Sequence, residues 1–139
     1  MQTFLPYPDF AESARVLDMK RLGKQRVEAL QISYALTRLE YGWQSHPAVK
    51  MWRDCTFALT QYGIVVCDEW ISRGYKDTCK EKLNHVQDSL FVTGMPHWLG
   101  DEALHKSHRS NLLRKAPEFY SPLFESDLPN DLEYVWPMK

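Results

Sequence analysis

The sequence has no long hydrophobic run: its longest uninterrupted apolar stretch, Ile64 to Cys67, is four residues, far too short to span a membrane. Cysteine is scarce. Cys55, Cys67 and Cys79 are odd in number and contain no Cys-x-x-Cys pair, which argues against a disulfide framework and for a reducing, cytoplasmic setting. The opening Met-Gln-Thr-Phe-Leu-Pro has no basic head followed by an apolar run, so it does not read as a secretory signal. Neither sign of charge dominates, with 17 basic against 18 acidic residues and a net charge of −1. There is no repeat, no low-complexity tract, no linker and no convincing alternating strand. What remains is 139 residues, 44% hydrophobic and 25% charged, the composition of one ordinary globular domain over residues 1–139 with enough chain to bury a core. A monomer is expected.

The distribution of charge says more than its sum. Arg15, Lys20, Arg21, Lys24 and Arg26 face a single acid, Asp18, between residues 15 and 26. Lys106, Arg109, Arg114 and Lys115, with His105 and His108, form a second basic stretch without an acid. From residue 116 to 133 the balance reverses, with Glu118, Glu125, Asp127, Asp131 and Glu133. Segregated basic and acidic surfaces suit a protein that docks a polyanion on one face.

The periodicity predicts an all-α class: a compact single-domain helical bundle with a long central first helix and an irregular C-terminal tail. Asp9 followed by Glu12 resembles a capping box, opening a helix that runs to about Arg38. Gly42 and Pro47 break it within Tyr41-Gly-Trp-Gln-Ser-His-Pro47. A second helix is expected from Pro47 to Arg73, stopped by Gly74, with Met51, Cys55, Ala58, Leu59, Tyr62, Val66 and Trp70 at helical spacing. A shorter one follows from about Asp77 to Leu90. Gly94, Pro96 and Gly100 mark a loop, and Asp101 caps a fourth helix through Lys115. Pro117, Pro122, Pro129 and Pro137 make the remainder irregular.

On a helical wheel, Phe10, Ala14, Leu17, Ile32, Ala35 and Leu36 fall within about 60° of Arg21. Lys24, Gln25 and Glu28 share that face. Charged groups in the line of a core stripe are costly unless they pair or open onto a cleft. Two readings fit: a polar active-site floor between apolar walls, or an internal salt bridge from Arg21 or Lys24 to Glu28. His46, flanked by Trp43 and Trp52, is a helix-start residue with either a structural or a functional role. The segment from Leu104 to Lys115 carries Arg, Ser and Asn at a density that suits phosphate oxygens, and equally suits a solvated basic helix. A zinc site on His105 and His108 lacks further ligands, so no metal is expected. Tyr134 and Trp136 offer faces for base stacking or for the core.

Several of these segments resemble the pyrimidine-dimer DNA glycosylase/endonuclease V family. The likeness lies in the basic cluster of the first helix, the Tyr-Gly-Trp-Gln-Ser-His-Pro turn and the Arg-Gly-Tyr that ends the second helix. Met1-Gln-Thr-Phe-Leu-Pro-Tyr, Lys20-Arg-Leu-Gly-Lys-Gln-Arg-Val-Glu-Ala and Ser107-His-Arg-Ser-Asn-Leu-Leu-Arg-Lys are similar to a bacterial and phage branch of it. Known members cleave the glycosidic bond at ultraviolet-induced pyrimidine dimers and then nick the backbone. They use the chain's own α-amine as nucleophile, a glutamate on the first helix, and neither metal nor cofactor.

The resemblance therefore implies double-stranded DNA with a lesion or modified base as partner. An α-amine, with a pKa near 8, is roughly a tenth free base at pH 7, far more than an ordinary lysine. The bulk of Gln2 is expected to keep Met1 in place, so the nucleophile is the Met1 amine. The family's Arg-Glu pair falls on Arg21 with Leu22 or Gly23, and Glu28 is the carboxylate on the Arg21 face. The expected catalytic residues are thus Met1, Glu28 and Arg21. Lys24, Gln25, Arg26, His46, His105, His108, Arg109, Arg114 and Lys115 are the expected DNA contacts. A non-catalytic nucleic-acid-binding protein and an enzyme acting on a modified nucleotide are the alternatives on the same scaffold.

Overall fold

Asp9 opens the first helix as its spacing predicts, its side chain accepting the Glu12 backbone N–H in the computed structural model, which describes residues 1–137. That helix, α1, is only Phe10–Val16, and a second, α2, covers Met19–Thr37. The single helix expected up to Arg38 is therefore broken at Leu17 and Asp18. The break is tertiary in origin: the Tyr120 hydroxyl accepts the Asp18 backbone N–H at 2.9 Å and donates to the Asp18 carboxylate. The wheel through Phe10 and Ala14 consequently does not continue into α2. The helix expected from Pro47 to Arg73 is likewise two, α3 (Pro47–Lys50) and α4 (Thr56–Ser72), parted where Asp54 takes φ 68°. Gly74, at φ 95°, follows the end of α4, a left-handed position that favours glycine.

α5 is Cys79–Asp88, slightly shorter than expected, and α6 is Glu102–Lys115, capped by Asp101 as predicted. A short α7, Pro117–Tyr120, stands in the tail that was expected to be irregular, with proline at its first turn. The described residues contain no strand, and none of their helices is long and apolar enough to cross a membrane.

α2 is the centre of the molecule, packed along α4 and against α5. The contact with α4 depends on Gly23. A Cβ there would lie 2.9 Å from the Trp70 ring. Trp70 has little room to give way: Arg26 covers it at 4.4 Å, Tyr75 stacks on it at 4.3 Å, and its Nε1 donates to Lys76 O. Alanine would add about 1 kcal/mol of helix propensity but overpack this contact by about 1–3 kcal/mol. Gly23→Ala should thus lower stability by about 1 kcal/mol in a denaturant melt. A more stable variant would show that the ring moves freely.

Candidate active site at the amino terminus

Residues 1–6 form no helix, yet Thr3, Phe4, Leu5 and Pro6 are buried. Buried peptide groups need partners, and here side chains supply them along the whole segment. Gln25 of α2 is bonded at both ends of its amide: Nε2 donates to Gln2 O at 2.9 Å, and Oε1 accepts the Phe4 N–H at 2.9 Å. The Tyr62 hydroxyl of α4 lies 2.8 Å from Phe4 O and 2.6 Å from Gln25 Oε1. Tyr134 donates to Thr3 O at 2.5 Å, and Trp52 Nε1 donates to the Thr3 hydroxyl at 3.2 Å.

Leu5 is held by two imidazoles of α6. His105 Nε2 accepts the Gly100 N–H at 2.9 Å, so its proton is on Nδ1, which donates to Leu5 O at 2.7 Å. His108 Nδ1 accepts the Leu5 N–H at 2.9 Å. Its Nε2 therefore carries the proton and is buried without a partner among the described residues. Burial, and behind it the neighbouring His105, lowers the His108 pKa to about 3 and keeps the ring neutral, stacked on Tyr134 at 4.2 Å. Arg109 completes the series with a bond to Pro6 O at 2.8 Å, its charge met by Glu102 at 2.7 Å and Glu125 at 3.2 Å.

The result of this clamp is the position of the chain's first atom. The Met1 ammonium lies 3.8 Å from Glu28 Oε1, while Glu28 Oε2 accepts from Gln25 Nε2 at 2.9 Å. Desolvation raises the Glu28 pKa above its ordinary 4.5, against the lowering pull of the ammonium and then Lys24. Glu28 also lines a cavity of about 240 Å³. Its walls are Gln2, Phe4, Gln25 and Glu28 with four cations, Lys20, Arg21, Lys24 and Lys115. The two basic stretches of the sequence thus meet here, one from α2 and one from the end of α6. Such a cleft can hold phosphate oxygens next to an amine and a carboxylate.

Not every expected residue is at the cavity. Arg21 lines it but bonds Asp18 at 3.1 Å, and Glu28 pairs with the Met1 amine, so the salt bridge expected as one alternative, from Arg21 or Lys24 to Glu28, is not formed. Lys24 is exposed at its rim. Arg26 points to Asp77 at 2.5 Å and to the face of Trp70. His46 caps α3, Nδ1 accepting the Ala48 N–H at 3.0 Å, and burial, with the Met1 charge behind it, lowers its pKa. His105, His108 and Arg109 are 0%, 0% and 4% exposed, so as placed they present the Leu5 and Pro6 backbone, not solvent, with their donors and acceptors. Arg114 is exposed and donates to Asn130 O at 2.7 Å. Sequence reasoning missed Tyr62 as a partner of the amino-terminal segment, since a tyrosine at core spacing gives no sign of where its hydroxyl goes. Among the described residues, no group of three or more His, Cys, Asp or Glu is placed to hold a metal.

Gly23 and Leu22 also explain why the acid is not at either position. Leu22 is fully buried and Gly23 faces the Trp70 ring, so neither can carry a carboxylate to the amine, whereas Glu28, about one and a half turns further along α2, reaches it. No curated protein and no solved structure gives a significant match to the chain. The family model for pyrimidine dimer DNA glycosylase matches residues 1–83, which contain the amine, Gln25, Glu28 and Tyr62. By that match the chain belongs to the pyrimidine dimer DNA glycosylase family, and at that level it is a DNA glycosylase.

Proposed function

We propose that the protein is a glycosylase and AP lyase that works through the Met1 α-amine on damaged or modified pyrimidines in double-stranded DNA. The observation that carries this reading is the amine held 3.8 Å from a buried carboxylate that itself lines a cationic cavity. The amine nitrogen attacks the sugar C1′, and the glycosidic bond breaks with its electron pair leaving on the base. Loss of the nitrogen proton and opening of the sugar ring give an imine. Removal of a C2′ proton then expels the 3′ phosphate by β-elimination.

Glu28 handles the protons in these steps and faces the positive charge that develops on the sugar. Its raised pKa makes it a better base near neutrality than a hydrated carboxylate. Lys20, Arg21, Lys24 and Lys115 hold the backbone phosphates. His105, His108 and Arg109 serve the reaction as positioning residues, by fixing Leu5 and Pro6 behind the amine.

The test is borohydride trapping of protein with an untagged amino terminus, on duplexes bearing an abasic site or a thymine dimer. A covalent adduct on both, mapped to Met1, is expected. Trapping on the abasic site alone would leave a lyase whose own lesion is a different modified pyrimidine. No adduct on either would overturn the amine mechanism in favour of a binding protein or a nucleotide enzyme.

A further inference from the structure

Trp43 combines two features that folding alone disfavours. Its ring is 60% exposed, and its backbone takes φ 73°, a left-handed conformation that is an outlier for a bulky residue. Glycine or asparagine would fill this turn with less strain, and strain of this kind gathers at functional sites. The Trp43 ring meets His46 edge-on, with centroids 5.9 Å apart. His46 meets Trp136 at 6.0 Å, and Trp136 meets Tyr134 at 4.3 Å. Tyr134 in turn bonds Thr3 O, two residues from the amine. A row of four rings therefore leads from solvent to the amino-terminal segment, and Tyr134 and Trp136 lie outside residues 1–83.

We propose that Trp43 is a specificity-determining residue: its indole, backed by His46 and Trp136, stacks on a base displaced from the duplex when the lesion is brought to the Met1 amine. The proposal rests on the amine reading above. Reaching C1′ requires that the helix be opened, and a base out of the stack loses its apolar neighbours. An exposed indole replaces them without regard to which base it is. The row ends on Tyr134, which bonds Thr3 O in the same segment whose Gln2 and Phe4 line the cationic cavity. A neutral His46 suits this use. Its Nδ1 is occupied by the Ala48 N–H, so the ring backs Trp43 without offering a free lone pair.

The test compares wild type, Trp43→Gly and Trp43→Phe. The affinity of each is measured by fluorescence anisotropy for a thymine-dimer duplex and for the same duplex undamaged, at one salt concentration. Trp43→Gly should reduce the preference for the lesion about tenfold, and Trp43→Phe should restore most of it. The melting temperature of Trp43→Gly should equal or exceed that of wild type, because glycine relieves the left-handed strain. An unchanged preference would overturn the proposal, as would a loss that tracks a lower melting temperature and is not rescued by phenylalanine. The binding readout needs no catalysis. A Trp43-dependent preference without a Met1 adduct would refute the amine reading alone, and an adduct with a Trp43-independent preference would refute this inference alone. A wild type without any preference for the lesion refutes it as well.

Discussion

Glu28→Gln should cut strand cleavage by about a thousandfold at pH 7 without lowering the protein's stability. The loss follows from removing the carboxylate nearest the amine, since general acid–base groups contribute about 10²–10⁴ in rate. Packing is preserved because the amide is nearly isosteric and still offers Gln25 Nε2 an acceptor oxygen. Stability follows from the direction of the pKa shift. Burial raises the Glu28 carboxyl above 4.5, so its folded form binds the proton more tightly than its unfolded form. The stability this contributes is fully present below the unfolded value and is lost as pH rises through the raised one. At pH 7 the charged carboxylate therefore opposes folding, and glutamine carries no such penalty. The variant should melt at the same or higher temperature than wild type at pH 7, and lose any advantage below pH 4. Single-turnover cleavage and melts at the two pH values check both halves. Unchanged cleavage would remove Glu28 from the mechanism.

Mild acid should loosen the amino-terminal segment, and His108 should account for much of that. Its ring is neutral in the fold with a pKa of about 3, against 6.5 for a free histidine. Between those values the unfolded chain binds the extra proton and the folded one does not. The stabilising contribution is thus complete above pH 6.5 and lost as pH falls toward 3. At pH 4 the loss from this one group is about 3 kcal/mol. The structural consequence is specific. A protonated ring has no lone pair for the Leu5 N–H, so two donors would face each other where one bond now holds the segment. His108→Asn places an oxygen near the Nδ1 position but gives up the stacking on Tyr134. It should be less stable than wild type at pH 7, with a clearly shallower decline from pH 6.5 to 4 in denaturant titrations. Equal slopes would show that other groups govern the acid response.

The parts of the fold that were legible in the sequence are those decided locally. The cap at Asp101 and the end at Lys115 define α6, and Asp9 defines the start of α1, because each signal lies within a turn of the element it bounds. The breaks at Leu17–Asp18 and at Asp54 were illegible for the opposite reason. No glycine or proline marks them, and the first is held by Tyr120, which is 102 residues away. The site divides the same way. Glu28 and Lys24 were readable from their place on one helix face. The roles of His105, His108 and Arg109 were not, since a side chain that bonds a peptide carbonyl has the same donors as one that bonds a phosphate. One signal was present: His108 lies in line with Leu104 and Leu112 at four-residue spacing, both fully buried, so its polar ring had to face inward.

α6 grips the chain near both of its ends. His105, His108 and Arg109 hold residues 5 and 6, while Ser110, Asn111, Arg114 and Ser107 bond the backbone between residues 130 and 135. The two sides of the Leu5–His108 bond are 103 residues apart in the chain. During synthesis Leu5 is therefore made about a hundred residues before the imidazole that bonds its N–H. At synthesis rates of about 5–20 residues per second, it waits roughly five to twenty seconds for its holders to appear. Throughout that interval Leu5 and Pro6 lack the α6 partners that bond their peptide groups. The amine proposed as nucleophile is thus made well before the helix that fixes its segment.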